Sequence, residues 1–119
     1  MRNQRRLRRL TIGDTTWLWS VRHSCNECRE VLSLHRQGVD ATLRIVFRAG
    51  PGRFVADYFR HDGSIGDGDD TFNLHEPGVV RRFLDAAAAR DALPASRGEK
   101  EIDGWPIFDA LVTRDRSPR

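Results

Sequence analysis

The residues whose types and spacing could do chemistry begin at His23-x-Cys25-x-x-Cys28. A Cys-x-x-Cys loop between two strands can present two thiolates to one ion. Tetrahedral zinc then asks for two more nitrogen or sulfur ligands. His23 and His35 are the nearby candidates, so His23, Cys25, Cys28 and His35 form the candidate metal set. Zinc is the one cofactor these residues suggest; otherwise none is expected. The histidines lie two positions before the first cysteine and seven after the second, which matches no zinc-finger spacing. A redox dithiol normally sits at a helix N-terminus, where the thiol pKa falls, and here strands flank the loop. Two reduced thiols in a polar loop, or a Cys/His catalytic pair, remain open on residue types alone.

A second constellation is the glycine-rich loop over residues 61–76. It holds Asp62, Asp67, Asp69, Asp70 and Glu76 and no lysine or arginine. Clustered carboxylates can hold a hard cation such as Ca²⁺ or Mg²⁺. An EF-hand is excluded: counting from Asp67, position 6 is Phe72 and position 12 is Gly78, where glycine and glutamate are needed. A metal-dependent hydrolase could use Asp67, Asp69, His75 and Glu76. The competing reading is a solvated loop whose aspartates close Asx turns on their own backbone.

The third is basic. Arg2, Arg5, Arg6, Arg8 and Arg9 stand in the first nine residues without an acid. Such an arm could contact phosphates and make nucleic-acid binding salt-dependent. Alternation places Arg44 and Arg48 on an outer sheet face, where His35 or Arg36 could join them. Against this surface, residues 10–113 hold 12 basic and 16 acidic residues. The pI near 9.5 therefore belongs to the two ends. Few exposed aromatics are available to stack on bases. The arm could equally be a solubilising tail, or dock on the acidic loop of its own or a neighbouring subunit.

The elements that must position these residues follow from periodicity. Pro77 suits a first helical position and Pro94 ends one. Between them Val79, Val80, Phe83, Leu84 and Ala87 fall within an arc of about 140° at helical spacing. Arg90 and Asp91 fall on or beside that arc, so the last turn should fray or lie beyond the sheet edge. Glu76 is a poor cap, and Asn73 is the alternative. Before the helix the pattern is period two. Leu10 and Ile12 lead into a hairpin with Trp17, Trp19 and Val21. Strands follow over residues 30–36, 42–48 and 54–58, with Leu32, Leu34, Leu43, Ile45, Phe47 and Phe54 inward. Val46 is the apolar residue left on the outer face of its strand. Short connections favour antiparallel neighbours. Residues 95–101 read as a polar linker, and 102–112 as either a short helix or an edge strand. The expected fold is α+β: about five mostly antiparallel strands with one long amphipathic helix across one face. Residues 1–9 form a basic arm, mobile or leading into the first strand. Residues 10–112 form one domain, and 113–119 a disordered basic tail.

The chain has 119 residues, room for one modest core. No apolar run is long enough to span a membrane, and no signal-peptide apolar region follows the basic start, which sets a cytoplasmic expectation. Arginine outnumbers lysine nineteen to one, a bias that points to a GC-rich bacterial genome. P-loop, Gly-x-Ser-x-Gly, His-Glu-x-x-His and dinucleotide fingerprints are missing. The leading expectation is a small non-enzymatic binding module for a protein partner or a second copy of itself. A nucleic-acid accessory protein using the arm comes second, and a divalent-metal enzyme using the acidic loop third.

Overall fold

The computed structural model describes residues 7–24, 28–55, 63–94 and 96–116. It is an α+β fold with a five-stranded, mostly antiparallel sheet and two helices. Successive side chains of a strand point to opposite faces. In β2 (Thr15–Ser24), β3 (Arg29–Arg36) and β4 (Ala41–Arg48) that alternation gathers the large apolar residues on one side. Trp19 stands opposite Leu34, and Leu34 opposite Leu43. Trp17, Trp19, Leu32, Leu34, Leu43, Ile45 and Phe47 are all buried there. β1 (Arg8–Ile12) pairs antiparallel along β2 and forms one edge. Arg8 and Arg9 of the expected arm thus belong to a strand; residues 1–6 lie outside the described residues.

Past β4 the chain leaves this sheet. β5 (Phe54–Val55), β6 (Ser64–Gly66) and β7 (Thr71–Asn73) make a small antiparallel sheet of their own. The strand expected from 54 to 58 is cut to β5, and residues 56–62 lie outside the described residues. Phe54, expected under the helix, is 56% exposed. Its strand pairs β6 rather than joining the main sheet, so its parity is set by the small sheet.

Helix α1 (Pro77–Ala89) starts at the expected proline and buries Val79, Val80, Phe83, Leu84 and Ala87. Burying the four larger of these is worth roughly 6–12 kcal/mol gross, against an extended reference chain. Glu76 stands at the cap position without a side-chain bond, as its residue type implies, and Asn73 does not cap the helix in its place. Asn73 Oδ1 accepts from the His75 N–H at 2.8 Å. The Glu76 carbonyl accepts the Val79 and Val80 N–H groups instead. The helix ends at Ala89, and Asp91 turns into the left-handed region at φ 58.

One helix was expected and two are present. α2 (Trp105–Arg116) occupies most of the segment whose state was open, and includes residues 113–116 of the expected tail. Before it, β8 (Gly98–Asp103) forms the second edge of the main sheet, parallel to β4, in place of the polar linker. The crossover through the small sheet and α1 returns the chain to the end where β4 began, which makes the pairing parallel. Charged residues give β8 no alternating signal, and such residues protect an edge strand from wrong pairing. Asp103 Oδ1 accepts from the Trp105 N–H at 3.2 Å as α2 begins. Between β8 and α2, a Cβ on Gly104 would lie 2.4 Å from the Phe47 ring and 2.8 Å from Ile45 Cγ2. No helix is long and apolar enough to cross a membrane among the described residues.

Phe83 is fully buried. Phe83→Ala should lower the unfolding free energy by about 3–5 kcal/mol, while Arg81→Ala on the exposed side should change it by about 0.5 kcal/mol or less. Chemical denaturation checks both. A loss under about 1 kcal/mol for Phe83→Ala would contradict its place in the core.

Candidate functional site

Strand parity decides where the candidate metal residues go. His23 stands opposite Glu30, and His35 opposite Leu18, so the two histidines project from opposite faces of the sheet. One ion cannot bind both from those positions. His23 Nδ1 lies 2.7 Å from Glu30 Oε1, with the two side chains 6% and 1% exposed. His35 Nδ1 lies 3.0 Å from Thr42 Oγ1 on the other face. Cys28 is exposed, and Cys25 lies outside the described residues. Among the described residues, no group of three or more His, Cys, Asp or Glu is placed to hold a metal ion. Glu30 was passed over in the sequence, although the alternation that buries Leu34 and Leu32 reaches it two positions earlier.

In the acidic loop the carboxylates build turns. Asp67 Oδ1 accepts the Asp69 and Asp70 N–H groups at 2.9 and 2.8 Å. Those two bonds hold the Asp67 carboxyl below the usual carboxylate range, that from Asp70 foremost. Asp70 is ion-paired with Arg116 at the end of α2. Asp69 and Glu76 are exposed. Arg8 Nη1 donates to the His75 carbonyl at 2.7 Å, and its guanidinium lies 4.8 Å from the Trp19 ring centre. Arg8 of the expected arm thus meets the loop at the His75 carbonyl, while Arg116, which pairs with Asp70, belongs to α2.

The outer sheet face is different from the one expected. Arg44 makes a bidentate pair with Glu99, at 2.8 and 3.1 Å. Arg48 Nη2 lies 3.4 Å from Glu101. Both arginines proposed for phosphate contact are therefore engaged by β8, a strand hidden in the sequence. Arg9 is exposed at the other edge, and Arg2, Arg5 and Arg6 lie outside the described residues. On this face is a groove of about 300 Å³, lined among others by Arg22, Arg29, Ser33, Arg44, Val31 and Val46. Arg22 is exposed and has no ion-pair partner among the described residues. Its outward direction was readable from Trp19 and Val21, whose parity is opposite. Arg29 carried no such signal, because it opens its strand beside a loop.

One ion pair makes stability depend on acid pH. Arg53 donates to both oxygens of Asp109 at 2.8 and 2.7 Å. These bonds, with the adjacent charge, outweigh partial burial and hold the Asp109 carboxyl below its ordinary range. A carboxyl lowered in the folded state stabilises above the unfolded pKa, and that contribution is lost as pH falls through the folded value. The window therefore opens below about pH 4. Thermal melts from neutral to acid pH should show Tm falling there, and Asp109→Asn should flatten the fall. An unchanged acid slope in the variant would contradict the coupling.

The chain matches no family model, no curated protein and no solved structure.

Proposed function

We propose that the chain is a small non-enzymatic binding module that holds a protein partner on the open face of its main sheet. The observation that carries this reading is one-sidedness. The buried residues of both helices and of the small sheet join the same core as Trp19, Leu34 and Phe47. Among the described residues, no element covers the opposite face. The groups suited to catalysis support the same reading, because they serve the fold: Asp67 closes a turn, Asp70 ties down α2, and His23 meets Glu30. The nucleic-acid alternative has less support. Arg44 and Arg48 are held by glutamates, and the side chains described on the open face include no Phe, Tyr or Trp for base stacking, His35 being engaged with Thr42.

A photo-crosslinking residue tests this directly. Placed at Ser33 on the open face, it should trap one discrete protein partner in the native host. Placed at Arg81 on the exposed side of α1, it should not. The proposal fails if Ser33 traps nothing, or the same mixture as Arg81.

A further inference from the structure

We infer that the groove on the open sheet face binds the carboxylates of an acidic segment on the partner, an inference that rests on the docking face proposed above. Charge is the first argument. Three arginines, Arg22, Arg29 and Arg44, line the groove with one acid, Glu101; Arg29 makes an interaction of its own, so the charge offered to a ligand is that of Arg22 and Arg44. Arg44 already pairs with Glu99, but a guanidinium carries five N–H donors and that pair engages two. Arg22 faces the groove with its charge unmatched by any described residue. The second argument is the apolar lining. Val31 and Val46 line the groove beside the arginines, and Val46 is 1% exposed. Arg22 is exposed, so a pair formed there acts mainly on encounter and orientation. Ser33 supplies a hydroxyl that can also donate.

Shape and neighbouring charge select the class of partner. The groove stands at the small end of the roughly 300–1,000 Å³ range of ligand pockets, which suits a few side chains of a bound segment. Glu99, Glu101 and Asp103 share the outward parity of β8 and form an acidic border beside it. A nucleic-acid strand laid across the sheet would carry its phosphates over that border, and like charges across an interface cost several kcal/mol. A short acidic segment can end before it. The occupant is therefore an acidic stretch of protein.

The test is an amide NMR titration of the full chain with an acetylated hexaglutamate peptide. Saturable shifts should centre on Arg22, Val31, Ser33, Arg44 and Val46. Arg22→Glu should weaken binding by about tenfold or more, since it puts like charge against the ligand. Arg81→Glu, on the helical side, should change it by less than about twofold, and its melting curve should match that of Arg22→Glu. Equal losses from both variants would overturn the site as mere attraction to a basic chain. Saturation of the same amides by inorganic phosphate alone would replace it with a small-anion site. Tighter binding of a single-stranded oligonucleotide at these amides would replace it with a nucleic-acid surface. If a partner still crosslinks at Ser33 while hexaglutamate leaves the groove unshifted, the docking face stands and its acidic specificity falls. Loss of the Ser33 adduct removes both.

Discussion

The end of β4 is where the buried side of the molecule is held together. Phe47 meets Phe83 of α1 at 5.5 Å between ring centres and Trp105 of α2 at 5.3 Å, both edge to face. Phe72 of the small sheet meets Phe83 and Phe108 in the same geometry. Such pairs are worth about 0.5–1.5 kcal/mol each beyond the area they bury, and here they link every layer. The backbone beside Phe47 completes the joint. Trp105 Nε1 donates to the Arg48 carbonyl at 2.9 Å, and the Gly104 N–H to the Val46 carbonyl at 2.8 Å. The Phe47 ring fills the space a Cβ on Gly104 would need. The chain can turn from β8 into α2 there only because residue 104 is glycine.

Around that core, ion pairs fix which segments meet. Arg44 and Arg48 hold β8, Arg53 holds Asp109, Arg82 holds Asp115, and Arg116 holds Asp70. Most are well exposed, and an exposed pair contributes only about 0–1 kcal/mol. Their common property is distance along the chain, since each joins separate elements. They mark register more than they add stability. An arginine-rich sequence thus gives a surface that is largely self-neutralised, and the groove around Arg22 is where positive charge collects on the open face.

The hairpins, the inward residues of β2 to β4 and helix α1 were legible, because amphipathic periods survive in a single sequence. β8 was not. Gly98-Glu99-Lys100-Glu101-Ile102-Asp103 has one apolar residue, and the β4 backbone, distant in sequence, supplies its pairing partner. That one omission reversed the reading of Arg44 and Arg48, from free cations to paired ones. The His23 and His35 pairing failed for a related reason. Sequence distance suggested proximity, but parity across β2 and β3 sends them to opposite faces. The same parity would have marked Glu30 as inward. The groove needed three strands in register before Arg22, Arg29 and Arg44 could be seen as neighbours.

The open face has one further property that bears on recognition. Val46 and Ser20 are 1% and 3% exposed there, although no described element lies over them. Their neighbours on that face include arginines: Arg44 and Arg48 flank Val46 along β4, and Arg22 lies two residues from Ser20. Arginine stems can cover apolar surface while their charged heads stay in water. Two of these stems are already held by Glu99 and Glu101. A partner reaching the valines must order the Arg22 side chain as well, at roughly 0.5–1.5 kcal/mol. Electrostatic complementarity acts mainly on encounter rate and specificity. Together these terms favour a partner that arrives quickly and leaves readily, held by matched charge over a small apolar contact.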